Sequence, residues 1–182
     1  MTGKILVILA DGFEEVEAFA PVDVLRRIGL DVITASLRGE TAKGAHGIVV
    51  SVDCELDSVD PSGIRVVILP GGMPGSKNLR ESDKVMDILN KVYSAQGVVA
   101  AICAAPIALS RAGLLKGRRI TAYPGFEDML EGAECTGARS EVDGRIITAK
   151  GPGASFEFAK LIARAVGKRE EAKKVLEGMF VE

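Results

Sequence analysis

Tryptophan is absent from the 182-residue chain, aromatic residues make up 4% of it, and it has a single histidine and three cysteines. Each scarcity removes a class of explanation. One imidazole, His46, cannot join Cys54, Cys103 and Cys135, which lack metal-ligand spacing, in a convincing zinc site. No metal or other cofactor is therefore expected. None is needed for stability, because a domain of this size buries roughly 70% of the surface its unfolded chain exposes. An odd number of cysteines reads as free thiols in a reducing compartment. Neither sign of charge is in excess: 23 basic against 25 acidic residues give a net charge of −2, so no nucleic-acid or membrane partner is expected. No apolar run approaches the ~18 residues of a membrane span, and Met1-Thr2-Gly3-Lys4 runs into a strand pattern without a signal-like apolar region. These absences point to a cytoplasmic protein.

What the chain has instead is 47% hydrophobic residues, a Val, Ile, Leu and Ala core of the kind a parallel sheet covered on both faces requires. The organising stretch is Val98-Val99-Ala100-Ala101-Ile102-Cys103-Ala104-Ala105-Pro106. Five consecutive apolar residues suit a doubly buried strand, and Pro106 opens a helix over 107–111. Cys103 falls on the strand-to-helix turn, where the unpaired amides of the helix start favour thiolate over thiol and can hold an oxyanion. A small buried cysteine closing a strand is the plainer reading of the same position.

Residues 4–9 read as a strand, Asp11-x-x-Glu14 as a capping pattern opening a helix interrupted at Pro21 and ended by Gly29, and 31–36 as a second strand. Residues 48–52 form a short strand in a peripheral hairpin arm. Strand 65–69 ends in Pro70-Gly71-Gly72-Met73-Pro74-Gly75, whose glycines either let amides approach a ligand at the sheet edge or simply make a tight turn. A helix is predicted over 79–95 and a strand over 119–122. Segments 133–139 and 145–149 flank an Asp143-Gly144 hairpin signal, and helices follow over 155–166 and 169–179. With no repeat, low-complexity tract or linker, residues 1–182 are expected to form a single doubly wound α/β domain with a mainly parallel sheet.

Three acids, Glu14, Glu15 and Glu17, stand at the start of the first helix. The helix dipole accounts for Glu14 and Glu15. Glu17, on a flank near the sheet edge where Cys103 emerges, is a candidate partner for it. Ionised, such a carboxyl repels a thiolate; protonated by burial, it donates a hydrogen bond and shuttles a proton. His46 reads as a solvated loop residue, and Cys54 and Cys135 as packing residues.

Four strings in register, GFEEVEAFAPVDVLRR at 12–27, LPGG at 69–72, AICAAP at 101–106 and KGPGASFEFA at 150–159, resemble the ThiJ/PfpI superfamily, in particular its branch of parkinsonism-associated protein deglycases. The resemblance spans nearly the whole chain. It implies a flavodoxin-like fold, Cys103 as nucleophile, Glu17 as its protonated partner and proton shuttle, and the amides of Gly72 and Ala104 as oxyanion site. Gly71, Tyr123 and Pro152 are the further pocket residues it suggests. The implied activity is a glutathione-independent glyoxalase or deglycase acting on methylglyoxal, glyoxal or their early protein adducts. The competing class is a redox-sensing or chaperone-like stress protein, and a cysteine peptidase is a weaker third. A homodimer is expected, since the first helix sets Val16, Phe19 and Val22 beside Asp23, Arg26 and Arg27, a face broad enough for the sheet and a symmetry mate. Two departures stand out: Tyr123, a poor neutral-pH base, occupies the place of a histidine in close relatives, and Ala104 that of a histidine in the peptidase-like branch.

Overall fold

The computed structural model describes residues 3–181, so Met1, Thr2 and Glu182 of the expected domain lie outside the described residues. The first half of the chain runs β1 (Lys4–Leu9), α1 (Glu15–Arg27), β2 (Val32–Ser36), β3 (Thr41–Lys43), β4 (Val49–Ser51), β5 (Cys54–Glu55), β6 (Ile64–Leu69), α2 (Gly75–Glu81) and α3 (Asp83–Ser94). The second runs β7 (Val98–Ile102), α4 (Pro106–Arg111), β8 (Arg119–Ile120), β9 (Glu134–Cys135), β10 (Ser140–Asp143), β11 (Ile146–Ala149), α5 (Ser155–Ala165) and α6 (Arg169–Gly178).

Seven strands form one sheet in the order β10-β11-β7-β6-β1-β2-β5, parallel throughout except for the β10–β11 hairpin. The strands read as unbroken apolar runs because each face is covered, and successive side chains enter different cores. Leu6, Ile8 and Ala101 pack with Leu79 of α2 and Leu89 of α3. Ile5, Val7 and Ile102 pack on the other side with Leu25 of α1 and Phe158 of α5. This is the flavodoxin-like arrangement expected. The chain leaves β1 to lay β2 on one side and later β6 on the other, so the winding reverses between β1 and β6 and opens a crevice at their carboxyl ends. Among the described residues no helix is long and apolar enough to cross a membrane.

The peripheral arm is present as a separate β3–β4 hairpin. It lies along the entry to α1: Lys43 N–H donates to Asp11 Oδ1 (2.9 Å), Gly12 N–H to the Lys43 carbonyl (2.7 Å) and Ala45 N–H to the Phe13 carbonyl (2.8 Å). The Asp11 carboxylate is therefore recruited to the arm and forms no capping box; Glu14 is the N-cap residue, without a side-chain cap bond. Pro21 does not interrupt α1, which runs through it, although a proline lacks the N–H that the Glu17 carbonyl would otherwise accept.

Other boundaries shift for local reasons. The helix expected over 79–95 is two helices, because Ser82 adopts extended backbone and its Oγ accepts from Val85 N–H (3.3 Å) to cap α3. The hairpin turn falls at Gly144 as read, with its φ at 61°, but its first strand is β10 and not 133–139. Residues 134–135 instead pair in parallel with β8, which is only two residues long.

Replacing Ser82 by alanine removes that cap and should lower stability by about 1 kcal/mol in urea unfolding, leaving alkylation of Cys103 unchanged. An unaltered midpoint would mean that the break between α2 and α3 is held by packing alone.

Candidate active site

Three loops meet at the carboxyl edge of the sheet, one after each of β1, β6 and β7. Glu14 N–H donates to the Gly71 carbonyl (2.9 Å) and Gly75 N–H to the Gly12 carbonyl (3.3 Å), tying the first two together. In the third, Cys103 has φ 64°, a left-handed backbone that a residue with a side chain adopts at a cost of roughly 1–3 kcal/mol. Neighbouring strands and loops hold it there: Cys103 N–H donates to the Ala149 carbonyl at the end of β11 (2.8 Å), and Tyr123 N–H donates to the Cys103 carbonyl (2.9 Å). The thiol is part-buried, and the Glu17 carboxyl and the Gly72 and Ala104 N–H groups are close enough to act on its ionisation.

Glu17 is completely buried in the first turns of α1. Its Oε2 accepts from Gly71 N–H at 2.8 Å, while Oε1 has no regular hydrogen-bond partner among the described residues. No cation faces it. Gly71 is required at this point: a Cβ there would stand 2.5 Å from Glu17 Oε2 and 2.6 Å from Cys103 Cβ. Gly72 has φ 86°, and a Cβ on it would stand 2.4 Å from Glu14 N.

Burial pushes the Glu17 carboxyl up to about 7, against the thiol and the Gly71 N–H, which pull it down; the nearby Glu14 charge adds to the rise. The Cys103 thiol is pushed up to about 12, first by burial, then by the charge and hydrogen bond of Glu17, which together outweigh the Gly72 and Ala104 N–H groups. The helix start was expected to lower it. It does not, because desolvation and a like charge in contact exceed the pull of two amides. The Glu17 contribution applies only while that carboxyl is ionised, so above pH about 7 the pair carries one negative charge and one mobile proton between them.

The remaining candidates divide. Tyr123 and Pro152 share a cleft of about 490 Å³ with Arg139 and Lys150, beside the elbow rather than on the sulfur. The Tyr123 ring faces Gly151, where a Cβ would stand 3.4 Å from Cδ2. Cys54 packs partly buried on the sheet edge, but Cys135 is exposed, which corrects the packing role expected of it. His46 is solvent-facing and yet bound: its Nδ1 is 2.8 Å from Glu15 Oε2, and its N–H donates to Glu15 Oε1 (2.9 Å). Its pKa is raised, chiefly by the Glu15 hydrogen bond and then by the Glu14 and Glu15 charges. Burial pushes Glu15 upward, but its bonds with His46 and backbone N–H groups prevail and lower it. Nothing in the sequence marked this pair, whose members are 31 residues apart.

Together, fold and site define a class: a flavodoxin-like α/β protein that presents a left-handed cysteine at the edge of a parallel sheet beside a buried carboxyl. Residues 3–165 match the family model described as the DJ-1/PfpI family, and the chain belongs to that family. The chain is 39% identical over its whole length to protein dj-1beta of Drosophila melanogaster, covering 98% of that protein. The crystal structure of the same fly protein superposes with a TM-score of 0.92 at 38% identity, covering 99% of this chain and 98% of that one. The oxidized form of Toxoplasma gondii DJ-1 also superposes at 0.92, with 32% identity over 98% of each chain. A protein named deglycase from Pyrococcus abyssi is 35% identical over 87% of this chain and 99% of its own.

An acid whose pKa is raised on folding binds its proton more tightly in the folded state. The contribution of Glu17 is therefore full below 4.5 and lost as pH rises to about 7. Measured by urea unfolding against Glu17→Gln, the wild type should lose on the order of 3 kcal/mol across that interval and no more above it. A pH-independent difference would place the Glu17 carboxyl in contact with water.

Proposed function

We propose that the protein is a cysteine-dependent enzyme acting on small α-oxoaldehydes such as methylglyoxal and glyoxal, or on their early adducts on proteins, without glutathione. The observation that carries this reading is a fully buried carboxyl, with no counter-cation among the described residues, beside a thiol on a left-handed turn. Cys103 is the nucleophile and Glu17 the proton donor and shuttle. When a carbonyl carbon meets the sulfur, the thiol proton passes to Glu17, so the thiolate forms without adding charge to the crevice. The carbonyl oxygen becomes an oxyanion beside the Gly72 and Ala104 amides. Glu17 then gives that proton to the oxyanion, takes the proton of the sulfur-bearing carbon and delivers it to the neighbouring carbonyl carbon, and water hydrolyses the resulting thioester to a 2-hydroxy acid and the free thiol. Gly71 fixes Glu17 by its N–H, while Tyr123 and Pro152 line the approach. The relative named deglycase supports the adduct form of the reaction.

The active form in this reading is a cytoplasmic homodimer. Three free thiols support the reducing compartment. Of the helix residues expected at an interface, Val22 is in the protein's own core; exposed Val16 on α1 and Ile48 and Val49 on the arm beside it form the apolar face for a second copy. The relative solved in oxidized form supports a redox-sensing role for the same thiol as a second reading. Peptidase chemistry has less support, since the one imidazole is engaged by Glu15 and no histidine follows Cys103.

Lactate formation from methylglyoxal should be abolished in Cys103→Ala. In Glu17→Gln it should fall by ~10²-fold or more while iodoacetamide still labels Cys103, because the thiol stays in place and only the transferable proton is lost. A Glu17→Gln protein as fast as wild type would sink the assignment.

A further inference from the structure

The opposite, amino-terminal edge of the sheet holds a cavity of about 460 Å³ that the reaction above does not use. It is bounded by Arg65 near the start of β6, Val98 at the start of β7, the Gly144–Arg145 turn before β11 and the end of α5 from Leu161 to Val166. Five residues of β7 separate it from Cys103, roughly 16 Å at the rise of a strand.

Its lining is chemically one-sided. Three arginines, Arg65, Arg145 and Arg164, line it together with Gln96, and no aspartate or glutamate among the described residues does. Six arginines elsewhere, Arg26, Arg27, Arg111, Arg118, Arg119 and Arg139, form ion pairs with carboxylates. Arg145 and Arg164 have no such pair among the described residues. Arg145 is also held in place: its Nη1 donates to the Tyr93 (2.6 Å) and Gly97 (2.9 Å) carbonyls, and its guanidinium carbon stands 4.1 Å over the Tyr93 ring. Its Nε and Nη2 have no partner among the described residues, and that edge is the fork that grips an oxyanion with two parallel bonds. The rest of the wall is apolar, with Val142, Leu161 and Val166. Val142 is half exposed, so the surface is left for something to cover.

We propose that this cavity binds a small organic anion, an oxyanion head on a compact apolar body, with Arg145 and Arg164 holding the head and Val142, Leu161 and Val166 covering the body. The volume lies within the usual range for small-molecule sites. The fixed guanidinium reduces the ordering cost of binding.

The test is calorimetric titration of the full chain with octanoate, phenyl phosphate, inorganic phosphate and neutral octanamide, up to about 10 mM. Octanoate or phenyl phosphate should bind, more weakly as salt rises, and octanamide and inorganic phosphate should not. Whichever of the first two binds tighter names the head group. Exposed Arg164, changed to Gln, and Arg145→Lys, which keeps the charge but not the fork, should each weaken binding about tenfold or more. Cys103 labelling should be unchanged in both, which separates this site from the proposed reaction. Equal binding of octanamide, binding of inorganic phosphate alone, affinity unaltered in both variants, or no binding at all would each overturn the proposal.

Discussion

A carboxyl group buried with no cation beside it among the described residues constrains everything around the crevice. Glu17 has lost its water and gained one backbone donor, Gly71 N–H, together with the Cys103 thiol. An isolated carboxylate in such a place is costly, and the cost falls when the group keeps a proton. The neighbouring thiol suffers the same desolvation, so the two groups do not both ionise at neutral pH. The pair thereby stores a proton that can change owner without changing the net charge.

Much of the local backbone exists to hold these two groups at contact distance. Gly71 leaves no room for a side chain between them, and Gly72 turns through a left-handed conformation against the loop that follows β1. Cys103 is held in its own left-handed conformation by β11 on one side and Tyr123 on the other. The parallel order of β1, β6 and β7 brings the three loops to a common edge, and a change of register in any of them would separate the carboxyl from the sulfur.

The β3–β4 arm adds a second layer. Glu15 holds His46 through both its side chain and its backbone, and Gly44 passes so close that a Cβ there would stand 2.2 Å from Glu15 Oε1. Two acids in the first turns of α1 thus serve opposite ends. Glu15 is kept ionised by its donors and anchors the arm, while Glu17, two residues on, is pushed toward neutrality by burial. Glu14 acts through its charge on His46 and on Glu17, raising both.

The sequence by itself determined the layered α/β fold, because apolar runs without alternation fit only strands covered on both faces, and the helices between them carry their own periodicity. It also singled out Cys103 from its strand-to-helix context, and Glu17 from its place on the first helix and from the EEVE string. Where local signals competed with tertiary partners, sequence reading failed. Asp11 offered a capping box and was taken by the arm, and Ser82 cut a helix whose apolar pattern runs on through the break. The Glu15–His46 bond and the Arg145 bonds to the Tyr93 and Gly97 carbonyls left no trace in residue spacing, since both depend on segments brought together only by folding. The protonation balance was likewise a tertiary matter. A helix start argues for a lowered thiol pKa, but burial and the contact with Glu17 set the actual direction, and neither can be read from residues 86 positions apart.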